Sequence, residues 1–303
     1  MDGVLVVDKP AGPTSHDVID RVRRTLGVAK AGHTGTLDPF ATGVLAICLG
    51  KATRLAPFLS GGDKLYHATL RLGFATTTDD LHGAVIGVAL SGEVDRAALE
   101  AARRELTGTI RQVPPAFSAK HVAGRRAHQL ARRGEAVDLA AVPVTVERIE
   151  ILAHSGDQVE LEIACSPGTY VRALARDLGQ KLGTGGHLVA LRRLRTGDFD
   201  LEGAVAWDEI ESAAARVRPL ERLLLDRPAV RIGALGRDAL GHGRDLTPDL
   251  VAFGFPREDV GPVRLQDAET GALLGIGRCR GFSEALPGVP GTPTLHPDIV
   301  FIG

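Results

Sequence analysis

The stretch Gly32–Leu45, GHTGTLDPFATGVL, carries a lone carboxylate, Asp38, among glycines and threonines. Most acid-based chemistries need more than that. Glycoside hydrolysis commonly uses two carboxylates. Two-metal hydrolysis and most Mg²⁺ sites use a cluster of acids. A phosphate-cradling loop needs GxxxxGK[ST], which is absent. What remains is one carboxylate acting as nucleophile or base, on a substrate whose leaving group needs little protonation. A sugar C1′ bonded to uracil fits, because the departing base carries negative charge on its own carbonyls. Pro39 biases Asp38 toward extended backbone, and Gly32, Gly35 and Gly43 permit tight turning. The competing reading is an Asp that caps an Asp-Pro turn.

Arg172 falls in the first turn after Thr169, a plausible helix N-cap. A cation there opposes the helix dipole by about 0.3–1 kcal/mol, so it needs an anionic partner. Asp38 is one candidate, through a charge-assisted hydrogen bond; Asp177 and Glu162 are the alternatives. The chain has only two tyrosines, Tyr66 and Tyr170. Either can stack on a base or pack in the core. His33, in the Asp38 loop, can stack on nucleotides or cap a turn.

These residues need elements to hold them. Residues 3–10 read as a short apolar strand stopped by Pro10. TSHDVIDRVRRTLG reads as a helix with Thr14 or Ser15 as N-cap, Val18, Ile19, Val22 and Leu26 as its buried stripe, and Gly27 at its end. VLAICLG is a buried strand, and KATRLAPFL a helix with basic ends. Residues 64–73 alternate, placing Tyr66, Ala68, Leu70 and Leu72 on one face and His67, Thr69 and Arg71 on the other. A loop, ATTTDDLHG, and a helix over 95–106 follow. Residues 111–135 have little apolar periodicity and read as an excursion from the core. Residues 141–166 read as a hairpin turning near Ser155–Gly156. Val171, Leu174, Ala175, Leu178 and Leu182 then give a helical stripe. Residues 207–225 read as helix. From Ala229 the chain is rich in Gly and Pro, with strands such as AVRIG, PVRLQD, LLGIGRCR and DIVFIG. That predicts a separate small β domain. No internal repeat is visible.

Composition bounds the partners. The chain has 303 residues, 44% hydrophobic and 24% charged, as expected of a soluble globular protein with an ample core. No run of about 18 apolar residues exists, so no membrane span is expected, and the first residues have too short an apolar run for a signal peptide. The three cysteines, Cys48, Cys165 and Cys279, show no CxxC spacing and read as reduced thiols in a cytoplasmic protein. Net charge is −1, yet residues 103–133 hold eight Lys/Arg against Glu105, and residues 172–195 hold six against Asp177. Two basic segments on a neutral chain suggest a local polyanion footprint, or else two solvated helix faces.

Taken in order, these segments resemble the bacterial tRNA pseudouridine-55 synthase family (TruB type), over nearly the whole chain. GVLVVDKPAGPTSHDV is similar to its N-terminal motif, and GHTGTLDPFATGVL to its catalytic motif. KLYHATLRLGFATTTDDLHG is similar to the segment bearing its active-site tyrosine. VPPAFSAKHVAGRRAHQLARRG resembles its RNA-gripping insertion, with His128 where that family often has Tyr. CSPGTYVRALARDLGQKLGTGGHLVALRRLRTGDF resembles a further site motif. The resemblance implies an α+β fold: a large catalytic domain, residues 1–226, with a mixed, mainly antiparallel sheet flanked by helices, and a small β-barrel-like PUA domain, residues 227–303. It implies Asp38 as the catalytic aspartate, Arg172 as the residue holding it ionised, and Tyr66 as the stacking tyrosine. His33 would fill the region vacated by flipped nucleotides, with Tyr170 and Leu191 forming the pocket wall. RNA contacts would fall on Lys9, Asp80, Lys120, Arg125, Arg126, Arg132, Arg192 and Arg193, with Asp80 also ordering its own loop. The implied substrate is the T-arm stem-loop of tRNA, handled by a monomer with no cofactor, metal or protein partner. Two other readings stay open: an RNA-binding or RNA-remodelling protein without catalysis, and a nucleoside or glycosyl hydrolase, for which Asp80 is the acid available to assist Asp38.

Overall fold

The computed structural model describes residues 1–87, 94–118, 121–122, 125–126, 133, 139–281 and 293–302, with residues 121–122 and 125–126 as backbone only. Seven strands form the path of its main sheet: β1 (Gly3–Lys9), β2 (Thr42–Leu49), β3 (Lys64–Leu72), β4 (Gly108–Gln112), β5 (Val142–Ser155), β6 (Gln158–Cys165) and β7 (Gly186–Thr196). Their spatial order is β1-β2-β7-β3-β6-β5-β4. Every neighbouring pair is antiparallel except β2 and β7, which run parallel with Arg192 opposite Thr42 and Arg193 opposite Gly43. Four shorter pieces, Val205–Ala206 and Arg218–Pro219 beside β1, Ala31–His33 beside β2 and Phe199–Asp200 beside β7, complete an eleven-stranded mixed sheet. The expected mixed sheet is therefore present.

The centre of this sheet is covered on both sides, which explains the continuous apolar runs of β1 and β2. Leu5, Val7, Leu45, Ile47 and Leu49 point into one core with Val18, Ile19 and Val22 of α1 (Ser15–Thr25) and Leu99 of α2 (Arg96–Glu105). The intervening residues Val4, Val6, Val44, Ala46 and Cys48 point into a second core with Ala52, Leu55 and Leu59. On β3 the alternation holds as expected: Tyr66, Ala68, Leu70 and Leu72 are buried, and Arg71 is exposed. The β5–β6 turn falls at Gly156, which has φ +59°.

Local sequence explains the helix that starts the site. Thr14 caps α1 and its hydroxyl accepts the Asp17 amide at 3.1 Å, while the Asp17 carboxylate accepts the Thr14 amide at 2.8 Å. That leaves Ser15 free to turn inward. α3 (Val171–Lys181) buries Val171, Leu174, Ala175 and Leu178 as its stripe predicts. Two expectations are corrected. KATRLAPFL is a 3₁₀ turn, Gly50–Leu55, followed by the one-turn helix Ala56–Leu59. Residues 207–225 are not one helix: a 3₁₀ helix runs Trp207–Arg216, and Arg218–Pro219 is extended against β1. Pro219 forces that break by restricting its own φ and the backbone of Arg218.

The C-terminal segment forms a second sheet from β8 (Ala229–Ile232), β9 (Val251–Phe253), β10 (Pro262–Asp267), β11 (Leu273–Arg280) and β12 (Thr294–Val300), ordered β9-β8-β10-β11-β12. The helix α4 (Ala234–Gly241) packs on it through Ala239 and Leu240. The expected closed barrel is not seen: among the described residues the sheet is open, its end strands β9 and β12 unpaired with each other. β9 has only three residues, too few to carry a closing ladder. This sheet turns Leu273, Ile276, Ile299 and Phe301 into the core beneath Val4, Val6 and Val44. The Lys51 ammonium also donates to the Phe301 carbonyl at 2.7 Å.

Gly43 sits where β2 meets β7. It has φ +101°, and a Cβ there would collide with the carbonyl of Arg193. Gly43→Ala should cost about 2–4 kcal/mol through strain and displacement of β7. The check is urea denaturation, with a lower midpoint at unchanged slope.

Candidate active site

The loop between Ala31–His33 and β2 carries Asp38, and buried side chains hold its backbone from three directions. The Ser15 hydroxyl donates to the Leu37 carbonyl at 3.0 Å and accepts the Leu37 amide at 2.8 Å. The Lys9 ammonium donates to the carbonyls of Ala41 at 2.7 Å, Pro10 at 2.8 Å and Pro39 at 3.0 Å. The Arg193 guanidinium donates to the carbonyls of Val44 at 2.8 Å, Gly35 at 3.1 Å and Thr36 at 3.3 Å. Two cations thus end on backbone oxygens within a few residues of Asp38 on either side. Burial lowers the Lys9 ammonium to a pKa of about 8, with Asp38 opposing the shift and Arg193 adding to it.

Arg172 meets Asp38 in a two-pronged pair, Nε to Oδ2 at 2.9 Å and Nη2 to Oδ1 at 3.0 Å. The same guanidinium donates to the carbonyls of Phe117 at 2.9 Å and Thr78 at 3.1 Å. It also lies 3.5 Å from Oδ2 of Asp80. Every edge of the fork is engaged. The Arg172 side chain is 6% exposed, whereas that of Asp38 is 29% exposed, so the carboxylate is the accessible member. The alternative partners are occupied elsewhere: Asp177 pairs with Arg176, and Glu162 with Arg148. Burial pushes the Asp38 carboxyl above the ordinary carboxylate range; Arg172 pulls it back, and Asp80 adds to the rise.

The residues that the resemblance assigned to the pocket lie on β3, on β7, at the start of α3 and on the short strand before the Asp38 loop. Tyr66 is buried and stands opposite Arg193 in the β3–β7 register. Burial raises its phenol, with Arg193 opposing. Leu191 is buried opposite Ala68, in the same core as Leu37 and Tyr66. Tyr170 is half-buried at the N-cap of α3. Its backbone is gripped twice by Gln112, through the Tyr170 amide at 2.8 Å and its carbonyl at 3.1 Å. The charge of Asp38 reaches both phenols. His33 is half-buried, with Nε2 3.4 Å from the Thr36 hydroxyl.

The basic positions divide. Lys9 and Arg193 were expected on the RNA face, yet both are buried, at 0% and 1% exposure, and bond to loop carbonyls. They brace the Asp38 loop from within. Asp80 is also buried, and its Oδ1 accepts the Thr78 hydroxyl at 2.6 Å and the His82 amide at 3.0 Å. It orders its loop and faces Arg172, which leaves nothing for RNA. Arg192 is half-exposed and forks onto Asp8 at 2.7 and 3.1 Å. Arg125 and Arg126 form a two-residue strand against His121–Val122, described as backbone only. Lys120, Arg132 and His128 lie outside the described residues. Sequence reasoning missed Ser15, Gln112 and the bracing role of Lys9; a lysine closing the apolar run GVLVVDK was the available signal for the last.

A model of the TruB family pseudouridylate synthase N-terminal domain matches residues 23–171, and a model of the tRNA pseudouridylate synthase B C-terminal domain matches residues 172–227. The chain belongs to the TruB family. It is 48% identical to tRNA pseudouridine synthase B of Thermobifida fusca over 256 residues, 82% of this chain and 87% of that protein. It is 42% identical to the protein of the same name from Aromatoleum aromaticum over 292 residues, 95% of this chain and 92% of that one. Among solved structures it is similar to a chain of an H/ACA ribonucleoprotein bound to a substrate RNA containing 2′-deoxyuridine. That match has a TM-score of 0.73 at 27% identity, covering 99% of this chain and 85% of that one. As a TruB-family pseudouridine synthase the chain is an isomerase. Among the described residues no helix is long and apolar enough to cross a membrane.

A carboxylate that reacts as nucleophile or base must be ionised, so with Asp38 in that role activity should fall as pH drops through its folded pKa. Because burial raises that pKa, the acid limb of kcat/KM should lie above the ordinary carboxylate value of about 3.9. Arg172→Lys loses the fork and most of its pull on Asp38. Its acid limb should move to higher pH, with kcat/KM down about 10²-fold or more at neutral pH. A pH series of tritium release from 5-tritiated uridine in tRNA measures both.

Proposed function

We propose that this chain converts uridine 55 in the T-loop of tRNA to pseudouridine, with Asp38 as the reacting carboxylate. The observation that carries this reading is the forked Asp38–Arg172 pair, in which the arginine is sealed and the carboxylate is the accessible partner. The tRNA substrate follows the names of the curated relatives.

A stacked uridine must leave the T-loop to reach Asp38, at a cost of a few kcal/mol. In the proposed sequence the base flips in and stacks on Tyr66, with Tyr170 and Leu191 as walls and His33 in the space it vacates. Asp38 drives cleavage of C1′–N1, by attack at C1′ or by removing the C2′ proton. The electron pair leaves with N1, and the uracil departs as an anion. It turns within the pocket until C5 faces C1′. The C1′–C5 bond forms as the Asp38–C1′ bond breaks, or as Asp38 returns its proton to C2′, and C5 loses a proton while N1 takes one up. Atoms are conserved throughout, so neither water, redox cofactor nor metal enters the balance. The walls must keep the detached base caged between the two bonds. A hydrolase would need a second free acid, and both Asp80 oxygens are already engaged, by Thr78 and His82 on one side and Arg172 on the other.

The basic segments at 103–133 and 172–195 would supply the phosphate contacts, through Arg192 and the insertion residues Lys120, Arg125, Arg126 and Arg132. Residues 1–226 act as the catalytic domain, with the RNA-gripping insertion at about 111–135. Residues 227–303 act as a PUA-like RNA-binding domain. The protein works as a monomer in the cytoplasm, without a protein partner.

Chemical mapping of pseudouridine in tRNA tests the reading. Wild type should modify position 55, and Asp38→Asn should leave it as uridine while binding tRNA within about threefold of wild type. Modification at another position, or free uracil in the supernatant, would sink the assignment. Affinity should also fall steeply with salt, with a log–log slope of several units; a flat response between 50 and 200 mM removes the phosphate footprint.

A further inference from the structure

The pair at Asp38 is one rung of a two-rung ladder. Arg176 lies one turn after Arg172 on the same face of α3. Its Nη1 meets Oδ2 of Asp79 at 2.9 Å, and its Nη2 donates to the Val113 carbonyl at 2.8 Å. Its Nε donates to Asp177 at 2.9 Å. Arg172 and Arg176 therefore grip the same two segments in parallel. Arg172 takes Thr78 and Asp80 from the loop after β3, and Phe117 from the chain after β4. Arg176 takes Asp79 and Val113 from those same segments.

The loop is built for this. Asp79 is one of two non-glycine residues with positive φ among the described residues, at +59°. Its amide donates to Thr76 at 3.2 Å, and its carbonyl accepts the Leu188 amide at 3.0 Å. A left-handed aspartate turns successive carboxylates toward successive arginines, at a cost in backbone strain that a purely spacing loop has no reason to carry. The side chains of Arg176 and Asp79 are 18% and 12% exposed, so the pair is shielded from solvent screening.

We infer that Arg176 is a positioning residue for pseudouridine formation: by clamping Asp79 and Val113 it fixes Asp80 and the chain leading to Phe117, and so sets the fork of Arg172 on Asp38. Arg176 itself does not reach Asp38. The root of the 111–135 insertion and the reacting carboxylate thus share one frame. This rests on Asp38 being the reacting group. The groups facing Asp38 are Arg172, Asp80 and Lys9, and Arg176 acts through the first two.

The test compares Arg176→Met, Arg176→Lys, Asp79→Asn and the Met/Asn double variant with wild type. Readouts are single-turnover pseudouridine formation at saturating tRNA, tRNA Kd, melting temperature, and the acid limb of the single-turnover rate. Arg176→Met and Asp79→Asn should each slow the single-turnover step about tenfold, with Kd within about twofold, and should move the acid limb to higher pH. Arg176→Lys should recover part of the rate. The double variant should be no slower than the slower single, because both cut one link. An unshifted acid limb, a loss confined to Kd or melting temperature, or effects that multiply in the double variant would each overturn the inference. If Arg176→Met does not fold, Arg176→Lys and Asp79→Asn carry the same readouts. Asp38→Asn, run alongside, separates the two premises. Its full activity would remove the Asp38 reading, whereas an inactive Asp38→Asn with unaffected Arg176 and Asp79 variants would remove only the ladder.

Discussion

The structure turns on a guanidinium sealed inside the protein with its fork against a carboxylate. Arg172 sits in the first turn of α3, where the helix dipole disfavours it, and it is almost wholly out of water. Taking such a charge from water costs several kcal/mol unless its donors are matched. Two carboxylates and two backbone carbonyls do the matching. Removing one partner of a buried pair costs about 3–5 kcal/mol, so each of the segments involved is held in place by the others. The loop bearing Asp38, the loop after β3 and the chain after β4 converge on α3 because that arginine must be satisfied.

A second constraint lies beneath Asp38. Lys9 and Arg193 are buried cations whose hydrogen bonds go to carbonyls. Apolar side chains of similar volume would fill the same space without a desolvation penalty. The cations instead give the loop fixed anchors on both sides of Asp38, and Lys9 sets positive charge near its carboxylate. That charge, with Arg172, opposes the rise that burial imposes on the Asp38 carboxyl. A carboxylate left partly exposed in a rigid frame is oriented before substrate arrives, which is where such a site gains most of its rate.

The main sheet serves this frame. The one parallel junction among its seven long strands, β2 against β7, brings the Asp38 loop next to the strand that carries Leu191 and Arg193. The antiparallel run β7-β3 places Tyr66 opposite Arg193. Because β1 and β2 are covered on both faces, the strands that support the loop have no exposed side along which to shift. The C-terminal sheet contributes one of those covers through Leu273, Ile276, Ile299 and Phe301, so its packing supports the strands under the Asp38 loop.

Much of this was legible in the residues themselves. Strands, helices and their faces follow from periods of two and 3.6, as at Tyr66–Leu72 and Val171–Leu182, because burial of one face is a local property. One acid in a glycine loop and one arginine in a first helical turn marked the candidate site, and the ordered motifs named the family. Tertiary structure alone decided who pairs with whom. Asp38, Asp177 and Glu162 are equivalent as partners for Arg172 until the sheet order is known. Lys9 and Arg193 look like surface charges in a sequence, and become loop braces only because β1 and β7 run through the core. The open C-terminal sheet and the ladder of Arg172 and Arg176 depend in the same way on contacts between residues far apart in the chain, which no local pattern encodes.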